Sequence, residues 1–275
     1  MINWLRNKNL FSFVNLVFFF TYFEIKNENS NTILGIFWII LEPLLIISTY
    51  IVFFSFILGI KSSVFSINDS KFSYSIYLLM GLVPWFFMNK VINEGINIFI
   101  KYKKFILKPE FPIEILSYVL VLKSFIPFCV SSSVLFLIIS IDNSLDQVNF
   151  ILLISTLILT IFFIRGFAVF IGCICLIIKD LHKVVPILLT ILLFVSPIFY
   201  LPRSLGNLVF LGISNPLSYP ITCFKFSLTG NIEYLIFSSS YLDFIILFLL
   251  SILFFLIQTI IIRNVKNFTW FERVL

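Results

Sequence analysis

Apolar residues in this chain gather in long unbroken stretches. Six are long enough to cross a lipid bilayer: residues 33–60, 72–90, 113–141, 148–178, 184–201 and 241–262. A spanning helix needs about 20 mostly apolar residues to traverse a hydrocarbon core about 30 Å thick. Spanning strands would alternate apolar and polar positions, which these runs do not. Backbone groups in lipid must be paired within their own segment, so each run predicts an α-helix. The pattern predicts an all-α polytopic membrane protein with six spans, built as one transmembrane domain over residues 1–275.

Two further segments are less regular. Residues 10–26 start as an apolar run, with Arg6 and Lys8 ahead of it, and close on Glu24 and Lys26, with Glu28 just beyond. A basic start and an apolar run also suit a signal peptide, but Thr21-Tyr22-Phe23-Glu24 offers no small-residue cleavage site. The segment is expected to form a helix lying in the membrane interface, with a seventh span as the alternative. Residues 203–224 are moderately apolar but broken by Gly206, Gly212, Pro216 and Pro220. Irregular backbone at membrane depth survives only inside protein or beside water. A re-entrant or surface-lying pair of short helices is expected there.

Composition agrees with the pattern and adds an orientation. Of 275 residues, 60% are apolar and 12% charged, about half the charge of an ordinary soluble domain. A soluble enzyme and a nucleic-acid-binding domain are excluded. With the N-terminus inside, twelve of the nineteen bases fall on the inner face: Arg6, Lys8 and Lys26, then Lys101, Lys103, Lys104 and Lys108, then Lys179 and Lys183, then Arg263, Lys266 and Arg273. Lys61, Lys71, Arg203 and Lys225 fall outside. This asymmetry predicts that both termini are cytoplasmic.

Candidate chemistry is sparse. No glycine-rich phosphate loop ending in Lys-Ser or Lys-Thr is present, so this chain is not expected to bind and hydrolyse ATP itself. The sole histidine, His182, sits near Asp180 in an inner loop and reads as solvated. Asp142 and Asp146 lack a third metal ligand, and Cys173 and Cys175 read as small apolar packers. No catalytic or metal-binding residue is predicted. Intramembrane charges are costly and become the functional candidates. Glu42 precedes Pro43 in the first span, either as a buried carboxylate at a kink or as a group near the headgroups. Arg165 lies mid-span and is expected to face a water-filled cavity or to pair across helices. Lys123 and Asp243 are expected to snorkel toward an interface. The inner loop 97–112 interleaves Ile98, Phe99, Phe105, Ile106 and Leu107 with lysines, a pattern suited to a surface helix docking on a partner.

Four ordered stretches also carry a likeness. They are Leu34-Gly35-Ile36-Phe37-Trp38 with Leu41-Glu42-Pro43-Leu44; Gly81-Leu82-Val83-Pro84-Trp85; Lys108, Phe111-Pro112 and Glu114-Ile115-Leu116; and Lys179-Asp180-Leu181-His182 with Ser196-Pro197-Ile198-Phe199-Tyr200 and Asn215-Pro216. Together they resemble the permease subunit of ABC-type-2 exporters of polysaccharides and polyol phosphates, the family of O-antigen, capsule and teichoic-acid export. The resemblance implies a homodimer around a channel in the inner membrane, with an ABC ATPase subunit beneath each copy. ATP and magnesium would sit on that partner, and this chain would hold no cofactor. It further implies coupling through Lys101, Lys103, Lys104, Phe105, Lys108 and Glu110, and an outer gate over residues 203–224. Glu42, Trp38, Trp85, Arg165, Tyr200, Asn215 and Pro216 become candidates for lining the channel or gate. The cargo would be a polysaccharide on a lipid carrier. Export of a drug or lipid, and a membrane-embedded enzyme of glycan assembly, are the alternatives.

Overall fold

The computed structural model describes residues 10–30, 32–57, 74–108, 111–141, 145–202, 209–237 and 241–267. The chain is an all-α polytopic membrane protein, and no strand occurs among the described residues. Helix α1 (Leu10–Asn29) is followed by a 3-10 turn at Gly35–Phe37 that leads into α2 (Trp38–Ile51), which loosens into a π-helical turn at Val52–Ile57. Then come α3 (Tyr74–Ile96), the short α4 (Ile98–Lys101) and α5 (Lys103–Ile106), α6 (Glu114–Ile141) and α7 (Phe150–Ile177). Helices α8 (Leu181–Val195), α9 (Val209–Ser214), α10 (Ser218–Thr229) and α11 (Leu242–Asn267) complete the chain.

Five helical stretches among the described residues are long and apolar enough to cross a membrane: Gly35–Phe54, α3, α6, α7 and the α11 region. The least apolar of them, α3, is the most buried, while the most apolar, α11, turns most of its surface outward. A lipid-facing helix must be apolar all round, whereas an interior one can carry polar side chains that meet partners. This ordering explains why α3 runs on to Ile96, beyond the expected end at residue 90. Asn89, Lys90, Asn93 and Glu94 fall on one polar face that the protein itself covers or hydrates. Helix α11 likewise continues past Arg263 to Asn267.

The core is centred on α3, which packs on α6, α7 and α10, while α11 lies along α7 and α1 lies on α6. Small residues set the closest approach. A β-carbon on Gly95 would stand 2.8 Å from the Ala168 β-carbon and carbonyl oxygen, and one on Gly172 would strike the Gly95 carbonyl. In a membrane such close packing replaces the hydrophobic drive between helices.

The expected span at residues 184–201 is not one continuous helix. Helix α8 covers Leu181–Val195, about 22 Å at 1.5 Å per residue, and Ser196 turns extended (φ −71°, ψ 148°). Pro197 is the reason, because a proline pushes the preceding residue out of the helical region. The turn that follows exposes a series of carbonyls, and side chains meet them. Lys225 on α10 donates to the Pro197 oxygen (2.7 Å) and the Ile198 oxygen (3.1 Å). Tyr74 donates to the Phe199 oxygen (3.2 Å), Tyr77 to the Tyr200 oxygen, and the Tyr200 hydroxyl to the Val195 oxygen. Lys225 is 1% exposed and its ammonium stands 3.6 Å from the centre of the Tyr77 ring. A β-carbon on Gly81 would approach its Cε to 2.9 Å, so the glycine of Gly81-Leu82-Val83-Pro84 makes room for the lysine stem.

Two expectations are corrected here, and a third is narrowed. Lys225, counted among the outer bases, is a fully buried cap. Asp243 does not snorkel: it is 0% exposed and accepts from the Ile236 and Phe237 amides (2.8 and 3.1 Å) and the Thr222 hydroxyl (2.9 Å). Of the expected outer pair, α10 is buried along its whole length and so does not lie on the surface. It ends at Gly230, whose φ of 66° suits a residue without a β-carbon. Replacing Lys225 with Met leaves two buried carbonyls without a donor, and about 1–3 kcal/mol is expected for each unsatisfied group. Thermal unfolding in detergent should show a total loss of about 2–6 kcal/mol.

Candidate functional site

Polar side chains from distant parts of the sequence converge near the end of the bundle that carries residues 97–112. Glu24 and Glu28 lie one turn apart on α1, so both carboxylates face the same way. Lys123 on α6 is paired with Glu28, with Glu94 of α3 at 2.7 Å and with Glu24 at 3.9 Å, and its side chain is 3% exposed. Lys123 was expected to snorkel; instead three carboxylates surround it inside the protein. Glu24 also accepts from Lys101 and from the Tyr102 hydroxyl (2.5 Å). Burial, and then this bond to Glu24, hold the Tyr102 phenol well above its ordinary pKa. The aromatic side of the same junction brings Phe20 of α1 against Phe105 (5.3 Å) and Phe111 (5.7 Å). One ionic hub thus ties the N-terminal helix and the 97–112 loop to the spans α3 and α6.

A cavity of about 480 Å³ opens beside the hub, between α2, α3 and α6. Its polar wall comes from α3 and the turn after it: Asn89 and Asn93, and Lys90 and Glu94, stand four residues apart on α3, and Asn97 follows in the turn. Glu42 of α2 faces Lys90 across it at 3.7 Å. Phe86, Phe87 and Phe128 supply an apolar wall. Ser124, fully buried in the lining, has a hydroxyl with no hydrogen-bond partner among the described residues. The cavity therefore has one charged, amide-rich wall and one aromatic wall. Farther along the bundle Phe199 stacks with Phe54 (5.4 Å), Phe194 (5.4 Å) and Tyr50 (6.3 Å), an aromatic array on the turn after α8.

The expected site residues separate into three groups. Of the coupling set, Lys101 belongs to the hub and Phe105 packs on α1, while the Lys108 ammonium stands 5.6 Å from the Phe105 ring centre. Lys103 and Lys104 make no ion pair among the described residues. Glu110 lies outside the described residues, as do residues 203–208 of the expected gate. Of the channel set, Glu42 alone lines the cavity. Trp38 is half-buried at the start of α2, and Trp85 is 2% exposed, packed in the core where it lines nothing. Tyr200 and Asn215 brace the turn after α8, Asn215 through the Ser196 hydroxyl at 2.9 Å, and Pro216 is half-buried beside it. Arg165 does not face the cavity. It pairs across helices, donating from Nε to Gln258 of α11 at 3.1 Å.

Glu24, Glu28, Glu94 and Asn93 were absent from the expected set. The signal was present in part: Glu24 and Glu28, and Lys90 and Glu94, both stand at the four-residue spacing that places side chains on one helix face. Among the described residues no cluster of three or more His, Cys, Asp or Glu is arranged to hold a metal ion. Compared with known proteins, the chain matches no family model and no curated protein.

Proposed function

We propose that this chain is the passage-forming transmembrane subunit of an ATP-driven exporter that carries a polysaccharide, on a lipid carrier, across the inner membrane. ATP and magnesium belong on a separate ATPase subunit docked under each of two copies, with both termini of each copy on its side. The observation that carries the reading is the ionic hub. A push on the 97–112 loop reaches α1 through Lys101–Glu24, and α3 and α6 through Lys123, where the cavity begins. Lys103 and Lys104, which make no ion pair among the described residues, and Lys108 would meet acidic groups on the partner. The aromatic array around Phe199 offers flat, weakly adhesive faces to sugar rings.

A strain lacking the chain should retain polymer in the cytoplasm and lose it from the surface; normal surface polymer in a clean deletion overturns the reading. Lys101→Glu sets a second carboxylate against Glu24 and should lower export on the order of tenfold with the chain still inserted. The two-walled cavity favours a second reading, export of a lipid or an amphiphilic drug. Altered drug resistance or lipid content with normal surface glycan would select it.

A further inference from the structure

Arg165 is an intramembrane cation with no opposite charge to meet it among the described residues. It is 4% exposed, and no carboxylate lies within 4.0 Å of its guanidinium among the described residues. Its one hydrogen bond within the described protein runs from Nε to Gln258, leaving the outer edge of the fork, with four N–H donors, unused. Gln258 in turn donates to the Ser117 hydroxyl at 2.9 Å, and Ser117 donates to the Glu114 carbonyl at 2.8 Å. This chain of bonds fixes the plane of the guanidinium from one side only.

Three rings frame the other side. The guanidinium carbon lies 4.4 Å from the Tyr118 ring centre, 5.3 Å from Phe162 and 5.5 Å from Phe255. All three are among the outward-facing apolar side chains, each roughly 40% exposed. The Tyr118 hydroxyl makes no hydrogen bond among the described residues. Its depth also fits an amphiphile. Ser117 and Tyr118 precede Lys123 on α6 by about one and a half turns, and Phe13 of α1 packs on Tyr118 at 5.6 Å. Arg165 therefore sits in the charged layer near the loop-bearing end, not at the middle of the bilayer where the count along α7 alone would put it.

We propose that Arg165 and Tyr118 form a binding site for the phosphate of an anionic membrane phospholipid, set in the groove between α6, α7 and α11. A planar fork reads phosphate oxygens in pairs. Tyr118 adds one donor, and the Phe162 and Phe255 rings flank the first acyl carbons. The site is independent of what the chain exports.

The test uses the full chain, stripped of lipid in a maltoside detergent, with thermal unfolding followed as phosphatidylglycerol, diacylglycerol or inorganic phosphate is added. Phosphatidylglycerol should raise the unfolding temperature saturably, and neither of the other two should. Arg165→Gln should weaken the dependence on phosphatidylglycerol by on the order of tenfold or more, and Tyr118→Phe by about fivefold. If Arg165→Gln does not fold, Tyr118→Phe on its half-exposed ring decides the matter. Equal stabilisation by diacylglycerol would assign the effect to acyl chains, and equal stabilisation by inorganic phosphate to a soluble anion. Variants that respond like the wild type would leave another group, such as a carboxylate of a second copy, as the counter-ion. Each of these three results overturns the proposal.

Discussion

Replacing Lys123 with methionine is expected to cost about 3–5 kcal/mol of stability, the range for breaking a buried ion pair by removing one member. Methionine keeps the length and most of the volume of the lysine stem, so packing changes little and the loss is electrostatic. Without the ammonium, Glu28 and Glu94 lose their counter-ion, and Glu24 keeps only Lys101 and Tyr102. The carboxylates left facing one another repel, and Glu24, whose side chain is 8% exposed, is poorly hydrated. Thermal unfolding in detergent measures the loss. A second change separates charge from shape: Glu94→Gln in the Lys123→Met background removes one of the carboxylates and should recover at least half of the stability. If the double variant is as unstable as the single one, the hub acts through packing. If the single variant is as stable as the wild type, the hub carries no energy at all.

That hub shows where the sequence was legible and where it was not. The helical spans could be read because length and apolarity are local properties of a run of residues. Their ends were harder, since a charge stops a run only if water or lipid faces it. Lys90 and Glu94 do not end α3, because the cavity and Lys123 receive their side chains. Glu24 and Glu28 read as the polar flank of an apolar helix, yet their partners Lys101 and Lys123 stand 77 and 95 residues away. No local pattern can reveal such a pairing. Lys225 was hidden for a different reason: its partners are backbone carbonyls, which every residue has and no sequence motif marks. Pro197, which creates those free carbonyls, was visible, and a proline closing a span is the signal that a buried donor is needed nearby.

These placements also bear on how the two ends of the bundle differ. At the loop-bearing end the charges are shared among several elements through long side chains, and a lysine touching three carboxylates can exchange one for another at small cost. At the other end Lys225 and Asp243 fix α10 between the turn after α8 and the start of α11, with short bonds to backbone groups. A carboxylate holding two amides and a hydroxyl has no alternative partner. Motion is therefore expected near α1 and the 97–112 loop, with α10 held as a fixed plug against which the rest can shift.

The crossing of α7 and α11 supplies the second large effect. A β-carbon on Gly166 would collide with the Phe254 carbonyl oxygen and carbon and come within 2.9 Å of the Phe254 β-carbon. The obstacle is the backbone of a neighbouring helix, unlike the flexible Lys225 stem that faces Gly81, so it cannot swing aside. Gly166→Ala must part the two helices. Overpacking of this kind costs about 1–3 kcal/mol, and in lipid no hydrophobic drive presses the helices back together. Gly166→Leu should go further, because α7 and α11 are the most extensively packed helix pair among the described residues. Parting them also draws Gln258, one turn beyond Phe254, away from Arg165 and Ser117, leaving a buried guanidinium without its one bond. The leucine variant is expected to yield little or no monodisperse protein on size-exclusion chromatography. Gly212→Ala is the control: among the described residues its β-carbon would meet only the Ile236 side chain, at 4.0 Å. It should stay within about 0.5 kcal/mol of the wild type. If Gly166→Ala is as stable as that control, the close approach of the two helices is not what joins them.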